Sequence, residues 1–152
     1  IKNDYYDAYL NLGLAYLESN QLEDSINSFK KCINLEPKVV EAYNNLTIVF
    51  LKQKDFQSAL EIISLVKEID PTFFGTYNNL GLAYLGLKNF EKAIINFNKA
   101  INLNSIESKL YLKRGLVFKK MQLFKNSIDD FTQTIKLDPS DLLGLLLCLK
   151  TP

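Results

Sequence analysis

The sequence predicts an all-α fold made of stacked helix pairs, on three observations. An eight-residue pattern recurs every 34 residues, as YLNLGLAY at 9–16, YNNLTIVF at 43–50, YNNLGLAY at 77–84 and YLKRGLVF at 111–118. A fixed period of that length is typical of repeated supersecondary units. The second half of each unit carries apolar residues at helical spacing. A proline follows that half in three of the four units, where it ends a helix.

This period divides the chain into four repeats, which we interpret as one domain over residues 1–152. The repeats cover residues 6–39, 40–73, 74–107 and 108–141. In the first repeat we expect a first helix over about 7–19, and Asn20 as the N-cap of the second helix. Residues 1–5 match the junction between two repeats, so we expect the chain to be part of a longer protein.

Small residues recur where the two helices of a pair face each other. Glycine follows the first aromatic of the pattern by four residues, and a small residue stands twelve positions later. Small residues on facing sides let two helix backbones approach closely. The glycines are Gly13, Gly81 and Gly115, and the later residues are Ser25, Ala59, Ala93 and Ser127.

Composition limits the classes of function. The net charge of +1 provides no field for nucleic acid or a membrane surface, and no apolar run approaches the ~20 residues of a membrane span. The chain has no histidine, which excludes histidine-based catalysis and makes a zinc site unexpected. Since no nucleophile–base pair can be assembled by spacing, we expect no enzymatic activity, no cofactor and no metal. Cys32 is expected to be buried and inert, and the two cysteines suit the cytoplasm.

The recurring order is an aromatic, Leu-Gly, Tyr, a small residue, an aromatic, a small residue and Pro, and it resembles the tetratricopeptide repeat family. The resemblance covers residues 6–141 without gaps. The departures are Thr47 for Gly, Ser105 for Pro and Arg114 for Leu; the Arg114 head is expected to reach water while its stem packs. The resemblance implies a right-handed α-solenoid whose first helices line a concave groove, and protein partners.

A helical wheel of the first helix gives two opposed stripes that contain apolar residues. We predict that one stripe packs in the core and that the other lines the concave side. The core stripe is Tyr9, Leu12, Gly13 and Tyr16, and the concave stripe is Asp7, Leu10, Asn11, Leu14, Leu17 and Glu18.

On the concave stripe one position is Asn11, Asn45 and Asn79 in the first three repeats and Lys113 in the fourth. A side-chain amide both donates and accepts, so it can pair with a peptide backbone of any sequence. The row resembles the asparagine ladder in the repeat domain of the O-linked N-acetylglucosamine transferase. The alternative is that asparagine is merely common in this repeat through compositional bias. The neighbouring asparagines, Asn44 and Asn78, either extend the row or are solvated.

Charge along the same stripe favours a ligand with a basic part, an apolar middle and an acidic end near the fourth repeat. The alternative is a solvated lysine face. A chaperone-type dicarboxylate clamp is not expected, since Asn44 and Ile48 occupy its first pair of positions and Lys113 its arginine position. The acidic residues are Asp7, Glu18 and Glu41, the apolar ones Leu14, Ile48, Leu82 and Leu116, and the basic ones Lys109, Lys113, Lys119 and Lys120.

After the fourth repeat, residues 142–149 read LLGLLLCL. We expect this segment to form a short helix that packs on the fourth repeat, in the same chain or in a second copy as a homodimer, because exposed it would cost solubility. The predicted function is a non-catalytic scaffold that binds an extended peptide in its groove. The alternatives are a structural repeat block that mediates self-assembly, and an accessory region of a larger enzyme or chaperone-associated protein.

Overall fold

The computed structural model describes residues 5–141, and this range forms eight α-helices. The first helices of the repeats are α1 (Tyr5–Glu18), α3 (Val40–Gln53), α5 (Phe74–Gly86) and α7 (Ser108–Lys120). The second helices are α2 (Leu22–Leu35), α4 (Phe56–Ile69), α6 (Phe90–Leu103) and α8 (Phe124–Leu137), and a 3-10 turn, Pro139–Asp141, follows the last. The predicted all-α class, with two helices in each repeat, is confirmed.

The chain comprises two compact units, Ile1–Asn79 and Leu80–Pro152, and the division falls within α5. In the first unit α1 packs on α2, α2 on α3, and α3 on α4. In the second unit α6 packs on α7, and α7 on α8. Helices that follow each other in the chain therefore contact each other within each unit, as expected of a helical repeat.

The turn inside each repeat reverses the chain through one left-handed residue. Asn20, Lys54, Lys88 and Gln122 have φ angles of 60°, 60°, 59° and 60°. The prediction that Asn20 is the N-cap of α2 is wrong, because Asn20 takes this left-handed place and the N-cap is Gln21. Asparagine is favoured both as a helix N-cap and in the left-handed region, so the residue type alone did not distinguish the two roles.

The core of the first unit reverses one prediction for α1. Phe29 and Cys32 of α2 are fully covered and pack with Leu46 of α3 and Leu10 of α1. Leu10 is 8% exposed and Leu12 is 41% exposed, although Leu12 was predicted for the core and Leu10 for the concave side. The reason is that Leu12 corresponds to Leu46, which packs against the second helix of the preceding repeat; the described residues contain no such helix before α1.

Glycine brings the two helices of a pair into close contact. A Cβ added at Gly13 would lie 2.5 Å from Phe29 Cε1, and one at Gly81 would lie 2.5 Å from Phe97 Cε1. At Gly13 the approach also lets Ser25 Oγ donate to the glycine carbonyl oxygen at 2.8 Å. Small residues thus face each other across the helix pair as the spacing predicts.

The loop before a first helix is tied to that helix by a tyrosine hydroxyl. In three repeats this hydroxyl donates to a backbone carbonyl six residues earlier, at 3.0 to 3.1 Å. Because the acceptor is a carbonyl oxygen, the bond does not need a proline, and Ser105 fills the place in the third loop. The donors are Tyr43, Tyr77 and Tyr111, and the acceptors belong to Pro37, Pro71 and Ser105.

Arg114 of α7 does not extend its head into water as predicted. Its guanidinium forms a two-pronged ion pair with Asp130 of α8, and Nη1 donates to Asn98 Oδ1 at 2.6 Å. The guanidinium carbon also lies 5.6 Å from the Tyr111 ring centre and 5.8 Å from the Phe118 ring centre. The head stays between the helices because a carboxylate and two aromatic faces replace its hydration.

Candidate functional site

Three asparagine amides of the first unit form a chain of hydrogen bonds between α3 and α5. Asn78 Nδ2 donates to Asn79 Oδ1 at 3.2 Å, and Asn79 Nδ2 donates to Asn44 Oδ1 at 2.8 Å. Gly75 leaves space for this contact, since a Cβ there would lie 3.1 Å from Asn44 Oδ1. Asn44 and Asn78 are therefore more than solvated neighbours of the row: they bond Asn79 from its two ends.

The predicted asparagine row occupies three different environments. Asn11 is exposed, Asn45 is 8% exposed and Asn79 is 2% exposed. Asn79 has its amide engaged in the chain just described, whereas the structure gives the Asn45 amide no hydrogen-bond partner among the described residues. The Asn45 amide atoms are not among the buried side-chain atoms that lack a partner, so they keep contact with solvent.

The apolar positions of the first unit are partly covered by the unit itself. Leu14 is half-buried and packs against the core around Phe29, while Ile48 of α3 is half-buried. Each keeps part of its side chain accessible. Only the accessible part of the Leu14 and Ile48 side chains can therefore contact a ligand.

In the second unit, basic residues lie one helical turn apart on α7. Lys113 is half-buried and Lys109 is exposed. Burial lowers the pKa of the Lys113 amine, the Glu107 carboxylate opposes this shift, and the positive charge of Lys109 adds to it. An anionic group placed beside the two ammonium groups would offset both their mutual repulsion and the burial cost.

The other candidates of the second unit differ in exposure. Leu82 is half-buried and packs against the cluster around Phe97 and Val117, and Leu116 is also half-buried. Lys119 is half-buried and Lys120 is exposed. The first-helix residues of the second unit thus include both lysines and partly accessible leucines.

We also considered metal binding, cysteine reactivity and membrane insertion for the described residues. Between residues 5 and 141, no three or more Cys, Asp or Glu side chains are grouped to hold a metal ion. Cys32 is fully buried, and burial, followed by the charges of Asp7 and Glu41, raises the pKa of its thiol, which disfavours the reactive thiolate. In the same range, no helix has the length and apolar character needed to cross a bilayer.

The pairing of Arg114 with Asp130 was missed from the sequence, although a signal was available. The equivalent residues of the second repeat, 68 positions earlier, are Leu46 and Ile62. The pairs of the first and third repeats are Leu12 with Ser28 and Leu80 with Asn96, so opposite charges occur at the two positions only in the fourth repeat. That joint change indicates a contact across the helix pair, which reading each position alone does not reveal.

The predicted packing of residues 142–149 lies outside the described residues.

Profiles of one family match most of the repeats. A profile described as "Tetratricopeptide repeat" matches residues 75–105, and a second profile with the same description matches residues 6–39 and 108–141. Together they cover more than half of the chain. No curated protein sequence gave a significant match.

Several solved structures are similar to the chain. MamA 41-end from Desulfovibrio magneticus RS-1 is 28% identical, with a TM-score of 0.75 over 91% of this chain and 78% of that chain. TTC0263, a thermophilic TPR protein from Thermus thermophilus, is 22% identical, with a TM-score of 0.83 over 95% of this chain and 83% of that chain. Pseudomonas aeruginosa pilF is 24% identical, with a TM-score of 0.80 over 90% of this chain and 63% of that chain. These likenesses show an all-α helical-repeat fold of the solenoid class.

Proposed function

The chain belongs to the tetratricopeptide repeat family, whose members act in protein interactions, and from this premise we propose that it is a non-catalytic scaffold that binds an extended peptide segment through its first helices. The observation that carries the proposal is the Asn45 amide, which is 8% exposed and has no partner among the described residues. The Asn45 amide atoms are not among the buried atoms that lack a partner, so they retain contact with solvent and can pair with a ligand that has both a donor and an acceptor. A peptide backbone has both groups in every residue except proline.

The neighbouring amide chain supports the same interpretation. Asn79 donates to Asn44 Oδ1, which leaves Asn44 Nδ2 as the donor at the end of the chain. Asn44 is half-buried, so this donor retains access for a peptide carbonyl. Asn79 is 2% exposed and acts by holding Asn44, so the row is not a ladder of equal members.

The lysines of α7 favour a partner with an acidic group. Lys109 and Lys113 stand four residues apart, which places them on one face of the helix, and burial already disfavours the Lys113 charge. A carboxylate from an acidic side chain or a peptide C-terminus would add negative charge beside the two lysines, in the same sense as the Glu107 carboxylate. We propose this group as the acidic end of the ligand.

The test begins with peptides selected from a random-peptide phage library on the purified chain. Asn45→Ala should weaken the selected peptides by about 2- to 10-fold, the range of one net hydrogen bond. Asn27→Ala, at an exposed asparagine of α2, is the matched control and should leave affinity unchanged. Equal affinity for both variants, with intact helical content, would contradict the proposed role of Asn45.

The acidic end is tested separately by charge removal. Lys109→Gln with Lys113→Gln should weaken peptides that carry an acidic group and should flatten the dependence of their affinity on salt. Lys125→Gln with Lys136→Gln removes the same charge from exposed positions of α8 and serves as the control. The proposal fails if both pairs of substitutions have the same effect.

There are two alternative functions. The chain could be a structural repeat block that mediates self-assembly, or an accessory region of a larger enzyme or chaperone-associated protein. Failure to select any peptide, together with concentration-dependent association, would favour self-assembly. We propose the cytoplasm as the compartment, since the buried Cys32 thiol is free, as is usual in reducing surroundings.

A further inference from the structure

Asparagine is followed directly by serine at three places in the chain, at residues 27–28, 104–105 and 126–127. Asparagine is a chemically labile residue, because the backbone nitrogen of the following residue can attack the carbon of its side-chain amide. A small following side chain such as serine hinders this attack little. The three places therefore share the same local chemistry, and the backbone around each one decides how readily it reacts.

Two of the three asparagines lie inside helices. Asn27 belongs to α2 and Asn126 to α8, and both side chains are exposed. The serines that follow them are buried, and Ser127 N donates to the Leu123 carbonyl oxygen at 3.1 Å. A backbone nitrogen held within a helix cannot reach the preceding side chain until the helix opens locally. These two asparagines are therefore protected by their backbone, although their side chains are exposed.

The third asparagine, Asn104, lies in the loop between α6 and α7. Its φ of −145° and ψ of 85° are outside the helical region. Ser105 is exposed, and within residues 5–141 its backbone nitrogen has no hydrogen-bond partner. The Asn104 side-chain amide has no partner in that range either. Rotation about the Asn104 ψ angle can therefore bring Ser105 N to the amide carbon, and neither group has to give up a hydrogen bond.

Other loops that follow a second helix restrain the equivalent place more strongly. After α2 and α4, the carbonyl oxygen equivalent to that of Asn104 accepts from the backbone nitrogen three residues later, at 3.3 and 3.4 Å. In the described structure no such bond joins the Asn104 carbonyl oxygen to Glu107 N. The next residue is a proline in both of those loops and also after α8, and a proline nitrogen has no hydrogen to lose. Among these four loops, Ser105 alone supplies a nitrogen that can react.

We propose that Asn104 is a site of spontaneous deamidation through Ser105. The Ser105 backbone nitrogen gives up its proton and bonds to Asn104 Cγ, while the bond from Cγ to Nδ2 breaks and ammonia leaves with that proton. This step closes a succinimide ring. One water molecule then opens the ring at either carbonyl carbon, which gives aspartate or isoaspartate at position 104. The reaction consumes one water and releases one ammonia, and it needs no oxidant or reductant.

This reaction changes the entrance to α7. It adds a negative charge at position 104, and isoaspartate also lengthens the main chain by one methylene group shortly before the helix. The aspartate product has the carboxylate that Asp70 and Asp138 carry at the equivalent positions, where Oδ1 accepts from the backbone nitrogen two residues later. The site uses no residue of the proposed peptide surface, so it goes beyond the proposed function and is independent of it.

The test follows the full chain during warm incubation at mildly alkaline pH, which favours loss of the backbone proton. Samples are digested, and fragment mass spectra measure the conversion of amide to acid at each asparagine. Asn104 should convert at least about 10-fold faster than Asn27 and Asn126, because helix hydrogen bonds must open before those two can react. In urea the three rates should become similar, since the following residue is serine in each case.

Ser105→Pro is the matched variant. The Tyr111 hydroxyl donates to the carbonyl oxygen of Ser105, as the Tyr77 hydroxyl does to that of Pro71, so the variant should keep the parent Tm. Conversion at position 104 should stop in this variant and continue unchanged at Asn27 and Asn126.

Three results would overturn the proposal. One is conversion at position 104 that persists in Ser105→Pro, because it could not pass through the ring. Another is a native rate at Asn104 no faster than at the two helical asparagines. The last is a lead of Asn104 that remains unchanged in urea, which would assign its reactivity to the neighbouring sequence instead of the loop.

Discussion

Arg114 Nε donates to Asp130 Oδ2 at 2.8 Å, and Arg114 Nη2 donates to Asp130 Oδ1 at 2.6 Å. The arginine side chain is 19% exposed and the aspartate side chain 6% exposed. The pair joins α7 to α8 at positions that are apolar in the second repeat. In the fourth repeat a largely buried ion pair with defined hydrogen-bond geometry therefore takes the place of the apolar contact.

Breaking this pair on one side should be much more costly than replacing it as a whole. Arg114→Leu should lower the free energy of unfolding by about 3 kcal/mol, because it leaves the Asp130 carboxylate covered and uncompensated. Arg114→Leu with Asp130→Ile recreates the Leu46 and Ile62 pair and should recover most of the loss. Urea titrations of the three proteins provide the measurement. A double variant as unstable as the single one would contradict the assigned contact.

Gly81 should not tolerate a larger side chain. The Phe97 ring that a new Cβ would meet at 2.5 Å is fully buried and has no space to move into. Gly81→Leu should therefore lower stability by at least about 1–3 kcal/mol through overpacking. Gly86→Ala, at the exposed end of α5, is the control and should be neutral or slightly stabilising, as followed by thermal melts. Equal melting temperatures for the parent and Gly81→Leu would show that the helix-pair register is wrong.

Thr76→Val should stabilise the first unit. Thr76 Oγ1 is buried without a hydrogen-bond partner in the described range, and the equivalent residue of the second repeat is the fully buried Ala42. Removing the unmatched hydroxyl should raise the free energy of unfolding by about 1 kcal/mol. Thr47→Val is the control, since Thr47 Oγ1 donates to the Tyr43 carbonyl at 2.9 Å, and it should give no gain. Denaturant titrations that show no difference between the two variants would argue against an unmatched hydroxyl.

Lys113 should make stability depend on pH in a definite direction. Burial lowers the pKa of its amine in the folded chain, so between that pKa and the ordinary lysine value the unfolded chain binds more protons. Stability contributed by this residue therefore rises with pH through that window, and the cost of the charge is fully present below it. Lys113→Met should raise Tm at neutral pH, and its advantage should shrink at alkaline pH. Lys30→Met, at an exposed site of α2, controls for the change of net charge; a constant advantage across the pH range would contradict burial of the Lys113 charge.

The sequence by itself determined the all-α class, the 34-residue period and the facing small residues, because each is recorded several times in the chain. Gly13 and Ser25 illustrate this: a close approach requires small residues at fixed spacing, and the spacing is readable without coordinates. Tertiary structure decided what depends on the neighbour of each repeat. Leu12 and Leu46 hold the same repeat position, yet one is 41% exposed and the other 1% exposed, since only Leu46 has a second helix before it in the described residues. Likewise, equivalent asparagines differ because Asn79 finds Asn44 across two helices while Asn45 finds no protein partner in the described range, and such partners follow from packing, not from residue type.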